Sequence, residues 1–345
     1  MKIENLEINS NRPVFIIAEA GINHNNELDL AYKMIDVAVN SGANAIKFQT
    51  WSTDLMQLKN SSKPFYQKSI KKQSYYELIK SLEPSKKDQK KIFLQCKKKG
   101  IIFLSTPYDE ASVDFLDSLG VSAFKISSSD LTNHILLKHV AKKNKPILLS
   151  TGLSDLELIK SSVNIFQKLD MKHKLILLQA TSNYPTPPED INLRVIPELI
   201  RKFNLPVGLS DHTINSIAGI GAVALGACVL EKHFTLSRKL KGPDQSSSLE
   251  PKELQNWISQ IRYLEKCLGT NIKSITDSDK KNLSMRKILV LKSIKKNMTI
   301  QEKHLTAMRG NKFGVLPLEK NLKKIIGKKI KTTVNKKSQF SWDMI

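Results

Sequence analysis

The chain has 345 residues, room for one large domain and a small one, and its longest apolar stretch, Ile217 to Leu230, is too short to span a bilayer. A formal net charge of +23 can attract nucleic acid, an anionic membrane or an acidic substrate. The lysines, however, are scattered over helix surfaces and turns, and aromatic residues make up only 6% with none interleaved in a basic run, which argues against nucleic-acid binding. Cys96, Cys228 and Cys267 lie far apart, no C-x-x-C occurs, and Val14 to Ala18 is too short for a signal peptide. A soluble, cytoplasmic protein with reduced thiols and no membrane partner is the expectation.

Short apolar runs then alternate with helical stripes. Val14–Ala18 reads as a strand and Leu28–Ser41 as a helix, with apolar residues at Leu30, Ala31, Met34, Ile35, Val37 and Ala38. Ala45–Phe48 is the second strand. A polar excursion follows from Trp51 to about Ser74, with helices over Tyr75–Leu82 and Ser85–Lys99. Strands are expected at Ile101–Leu104, Ala123–Ile126, Ile147–Leu149 and Leu175–Leu178. The helices between and after them are expected at Ala111–Leu119, His134–Lys143, Asp155–Leu169 and Leu193–Phe203. Val207–Leu209 and Cys228–Leu230 complete eight strands around a helix of small residues, Ile217–Ala227. Eight strands alternating with helices predict an α/β fold, a (β/α)8 TIM barrel with its site at the C-terminal strand ends. After the helix Pro251–Leu268 the segment 269–284 is polar and reads as a linker. Residues 285–345 read as a small separate domain, marginal by itself.

Every strand ends in polar or charged residues: Glu19, Gln49, Thr106, Ser128, Ser150, Ser182, His212 and His233. Two neutral imidazoles at adjacent strand ends, His212 and His233, can hold one divalent metal and leave positions open for substrate. Each can equally cap its strand and bond to backbone. Lys47 and Lys125 lie near the ends of strands that should be apolar on both faces. They call for an anion, and two lysines within a ring of hydroxyls describe a phosphate or carboxylate site. The competing reading pairs them with Glu19 or Asp130.

Taken together, AEAGINHN (18–25), IKFQT (46–50), LSTP (104–107), FKISSSD (124–130), LSTG (149–152), SNYPTP (182–187), GLSDHT (208–213), EKHFT (231–235) and GPDQSSSLEP (242–251) resemble the sialic acid synthase family. The tail also looks like that family's small, mostly β antifreeze-like (SAF) domain. The resemblance implies a transferase that condenses phosphoenolpyruvate with an N-acylated amino sugar and water and releases phosphate. It implies Mn2+ or Mg2+ on His212 and His233, with Glu19 close to the reacting carbon. It places phosphoenolpyruvate on Lys47, Thr106, Lys125, Ser128, Ser150, Ser182 and Ser210, and the sugar on Gln49, Asp130, Tyr184, Asp244 and Arg309. It implies a domain-swapped homodimer in which Arg309 acts on the partner's barrel.

Several positions depart from the family pattern. Asp130 replaces a glutamate, Gln179-Ala180 a His-Cys pair and Gln245 a histidine, and Gly310 stands where the tail has proline. All fall on the sugar side. N-acetylmannosamine and 2,4-diacetamido-2,4,6-trideoxymannose both remain open as acceptor. A pseudaminate-type acceptor is less favoured by Gly242-Pro243-Asp244. An octulosonate-type enzyme would need an arginine cluster for its sugar phosphate, and the chain has seven arginines, none paired at a strand end. A polyanion-binding protein would leave both histidines and both lysines without a role.

Overall fold

The computed structural model describes residues 1–62 and 74–345, so 63–73 of the polar excursion expected from Trp51 to about Ser74 lie outside the described residues. Two compact units divide the chain, Met1–Gly269 and Thr270–Ile345.

In the first unit, eight parallel strands form the barrel: β1 (Phe15–Gly21), β2 (Ala45–Thr50), β3 (Ile102–Pro107), β4 (Phe124–Ile126), β5 (Ile147–Ser150), β6 (Leu175–Ala180), β7 (Val207–Asp211) and β8 (Val229–His233). Their hydrogen-bonded order is β3-β2-β1-β8-β7-β6-β5-β4, and β3 and β4 meet at the seam. Most strands run one to three residues past the expected ends. The expectation stopped each strand where its apolar run gave way to polar residues. In the structure the pairing continues through Glu19–Lys47, Gln49–Thr106, Ala180–Ser210 and Lys232–Asp211. Charged side chains there find partners inside the barrel or, for Lys232 and Asp211, behind its wall, so the backbone ladder has no reason to stop.

The helices are set by local signals. In α1 (Lys86–Lys99) the Ser85 side chain accepts from the Asp88 N–H, and Gly100 ends the helix in the left-handed region. Its Ile92, Phe93 and Cys96 face the barrel and its lysines face water. Asp155 likewise caps α2 (Leu156–Lys168). Two apolar layers result. One fills the space between strands and helices. The other fills the barrel floor, where Ile3 and Ile8 of an N-terminal hairpin (Lys2–Ile3 with Leu6–Glu7) meet Phe15, Ile102, Leu148 and Ile176.

The second unit carries a three-stranded antiparallel sheet with β9 (Lys287–Leu291) between β10 (Leu305–Arg309) and β11 (Ser338–Gln339). Leu289, Leu291, Ile300, Ile325 and Phe340 make its separate core. The segment expected as a linker contains a helix at Asp277–Lys281, capped by Thr276, and belongs to this compact unit.

Candidate active site

Side chains alternate across a strand, so each barrel strand points every second residue at the axis. The apolar floor then changes to a polar layer two residues on: Ile17 to Glu19, Ala45 to Lys47, Leu104 to Thr106, Ala123 to Lys125, Leu148 to Ser150 and Val229 to Glu231. Four charged groups meet there, each no more than 3% exposed: Glu19, Lys47, Lys125 and Glu231. Lys47 Nζ lies 2.9 Å from Glu19 Oε1, 3.7 Å from Glu231 Oε2, and donates to Thr106 Oγ1 at 2.9 Å. Lys125 Nζ is 3.5 Å from Glu231 Oε1, which also accepts from Ser210 Oγ at 2.8 Å. Gln49 Nε2 donates to Glu19 Oε1 at 3.3 Å.

The lysines thus have protein partners. Lys47 takes Glu19, as the competing reading held. Lys125 takes Glu231 rather than Asp130, whose carboxylate is tied to Ser127, Ser129 and Asn133 of its own loop. Glu231 was missed as a site residue. In sequence it reads only as the polar stop of an apolar run, and the register that aims it at two lysines is a tertiary fact.

Charge within this cluster is unevenly held. Burial, reinforced by the Glu231 charge and opposed by Lys47, lifts the Glu19 carboxyl to about 7. Burial works against Glu231 ionising too, but Lys125, Lys47 and the Ser210 hydroxyl outweigh it and bring that carboxyl down to about 2. Burial lowers the Lys125 ammonium below its ordinary range despite Glu231. Of the two carboxyls, Glu19 is therefore the one that takes a proton first.

Several buried polar atoms have no hydrogen-bond partner: Glu19 Oε2, Glu231 Oε2, Ser150 Oγ and His233 Nδ1. Such atoms are costly in a folded protein unless a ligand completes them. Beside them, Gly152 N–H donates to Ser128 Oγ at 3.1 Å, and a Cβ on Gly152 would fall 2.6 Å from Ser182 Oγ and 2.7 Å from Ser128 Oγ. Only glycine leaves room there for those two hydroxyls. Gly21, at φ +51, similarly leaves clear the space among Glu19, Gln49 and His233.

The rings of His212 and His233 are 5.6 Å apart, and Tyr184 lies against both, at 4.1 and 5.5 Å. The Thr181 carbonyl can only accept, so the 2.7 Å contact places the proton on His212 Nδ1 and leaves Nε2 as the ring's acceptor nitrogen, 3.3 Å from Ser210 Oγ. Burial lowers His212 to about 4 and takes His233 well below its ordinary range, so both are neutral and able to ligate. Among the described residues no third His, Cys, Asp or Glu joins them in a metal-holding group. The donor set fits a cation whose remaining positions go to water and substrate.

On the expected sugar side, Asp244 Oδ2 stands 4.0 Å from His233 Nδ1, and burial raises its carboxyl to about 6. Gln245 turns away and is buried, donating to the Asn23 carbonyl and accepting from Thr235. Its replacement of a histidine is therefore structural. Arg309 is exposed at the end of β10 in the second unit.

An eight-stranded parallel barrel with buried lysines, carboxylates and a histidine pair at its C-terminal strand ends defines a barrel enzyme of anion and carbonyl chemistry. Residues 34–273 match the NeuB family, and the chain belongs to it. It is 42% identical to the N,N'-diacetyllegionaminic acid synthase of Campylobacter jejuni over 93% of this chain and 98% of that one. It is 37% identical to the enzyme of the same name from Legionella pneumophila, over 97% and 96%. Among solved structures, the N-acetylneuraminic acid synthetase of Leptospira borgpetersenii, crystallised with citrate, aligns with a TM-score of 0.74 at 36% identity, covering 82% of this chain and 94% of that one. No helix among the described residues is long and apolar enough to cross a membrane.

Proposed function

We propose that this protein is a nonulosonic acid synthase. It condenses phosphoenolpyruvate with the open aldehyde of an N-acylated amino sugar and water, and releases phosphate. The observation that carries this reading is the polar layer itself. Lys47 donates to Thr106, Lys125 faces Glu231 beside Ser210, Ser150 Oγ has no hydrogen-bond partner, and Gly152 leaves room for the Ser128 and Ser182 hydroxyls. A compound bearing both phosphate and carboxylate would accept from these ammonium and hydroxyl donors. The two relatives named for diacetyllegionaminate synthesis favour 2,4-diacetamido-2,4,6-trideoxymannose as acceptor over N-acetylmannosamine.

The residues divide the work. The lysines and hydroxyls hold phosphoenolpyruvate with its third carbon toward the histidine pair. That carbon attacks the aldehyde carbon, and the aldehyde oxygen takes a proton to become a hydroxyl. Positive charge develops at carbon 2, where Glu19 as carboxylate stabilises it and accepts a proton from the water that adds. The new hydroxyl on carbon 2 then gives up its proton, which the departing phosphate takes, and closes to the carbonyl as the bond from carbon 2 to the phosphate oxygen breaks, leaving a keto acid and free phosphate. Mn2+ or Mg2+ on His212 Nε2 and His233 would polarise the aldehyde oxygen as a Lewis acid. Gln49, Tyr184, Asp130 and Asp244 are assigned to the sugar. Arg309, which is exposed, is assigned to a second copy's site within a swapped homodimer.

The test is incubation of the protein with phosphoenolpyruvate, Mn2+ and each acceptor separately, following phosphate release and product mass. The expected result is phosphate and a condensed acid with the diacetamido sugar, abolished in His212→Ala. Phosphate release without sugar consumption would refute the condensation. Full activity in His212→Ala would refute the metal assignment.

A further inference from the structure

His212 and His233 are not supported alike. His212 has the Thr181 carbonyl on its Nδ1, whereas His233 Nδ1 has no hydrogen-bond partner. Ligating histidines are normally held by a bond to the second ring nitrogen. Something else must fix His233.

The residues preceding the two histidines are Asp211 and Lys232, and they lie directly opposite each other in the β7–β8 ladder. Their side chains point away from the barrel axis, toward the helices. Lys232 Nζ, on a side chain 2% exposed, donates to Asp211 Oδ2 at 2.7 Å, Thr213 O at 2.7 Å and Thr213 Oγ1 at 3.3 Å. Three acceptors use all three ammonium protons. Asp211 Oδ1 accepts from the Thr213 N–H at 2.9 Å and its hydroxyl at 2.7 Å. His212 is therefore the single residue between two anchors, Asp211 and Thr213, both fastened to Lys232. Lys232 is in turn bonded to His233.

The enclosure is tight. The Lys232 ammonium is 6.0 Å from the centre of the Trp257 ring of α3 (Pro251–Leu268), and a Cβ at Gly219 would meet that ring at 2.7 Å. A buried ion pair is an expensive way to gain stability, and its better attested use is to specify geometry.

We propose that Asp211 and Lys232 are positioning residues that set the separation of the two imidazoles from behind the barrel wall, touching no substrate. The inference rests on the metal reading above for its catalytic meaning, but its geometry can be tested apart from it. The experiment compares wild type with Asp211→Asn and with the double variant Asp211→Asn, Lys232→Met, which leaves no lone charge buried and so retains the fold. Histidine ring nitrogens are followed by NMR in metal-free protein, Mn2+ binding is titrated by the paramagnetic resonance of the free ion, and phosphoenolpyruvate binding is measured in parallel. The expected result is shifted or broadened His212 and His233 signals with His139 and His173 unmoved. Mn2+ affinity falls about ten- to a hundredfold, the scale for lost outer supports of a metal site, and phosphoenolpyruvate affinity is unchanged. Unmoved His212 and His233 signals in the folded double variant would overturn the clamp. Absence of Mn2+ binding by wild type would overturn the metal reading, and the ring signals would still decide the clamp.

Discussion

The two ends of the barrel are built from the same eight strands and differ in nearly every other respect. At the floor, Ile17, Ala45, Leu104, Leu148 and Ile176 pack with the hairpin's Ile3 and Ile8. Two residues further along the strands, the same inward positions hold Glu19, Lys47, Thr106 and Ser150, and buried atoms lack partners. The floor is finished by the fold alone; the mouth is not. A barrel can carry unsatisfied groups at one end because apolar packing at the other end and around the outside supplies the stability.

That contrast can be broken or sharpened at three places. The largest effect on stability is expected at the floor. Ile176→Ala should cost about 2–5 kcal/mol by leaving a cavity in a layer that cannot collapse. Denaturant unfolding measures it, and the phosphoenolpyruvate and sugar requirements should stay as in wild type. A changed requirement would mean the floor shapes the site.

Next is Lys125→Met at the mouth. It removes a charged donor worth about 1.5–3 kcal/mol to a bound anion, so steady-state kinetics should show the phosphoenolpyruvate requirement rising roughly ten- to a hundredfold. The sugar requirement should hardly move. The reverse pattern would take Lys125 out of the anion site.

The smallest effect is a pH dependence. Glu19 is raised from 4.5 to about 7, so the folded state binds its proton more tightly than the unfolded chain does. Its contribution to stability is full below about 4.5 and is lost as pH rises through about 7. Glu231, lowered from 4.5 to about 2, contributes above about 4.5 and loses this as pH falls through about 2. Glu19→Gln should therefore flatten the stability curve between pH 4.5 and 7 while leaving the acid limb in place. Thermal unfolding across that range checks it, and an unchanged slope would show that Glu19 does not hold the cluster's proton.

Much of the site was legible before the fold was known. The inward lysines stood out because a strand buried on both faces has no business carrying them, and the histidine pair because it recurs at matching strand ends. Glu231 and the Asp211–Lys232 pair were not legible. Each looks like the polar stop of an apolar run, and only the strand register shows that Glu231 points in and Lys232 points out. The same blind spot shortened most of the strands. A residue's polarity marks the end of a strand only where no partner waits inside.

Sequence alone determined the alternation of eight apolar runs with amphipathic helices, and thereby the barrel, because periodicity and capping are local properties. It also determined which residue types crowd the strand ends. Tertiary structure alone decided which of those groups meet. It set Glu231 between Lys125 and Lys47, raised one carboxyl and lowered another, and turned Gln245 from a site position into a structural one. These outcomes depend on distances between residues remote in the chain and on the exclusion of water, and neither is written in any single stretch of sequence.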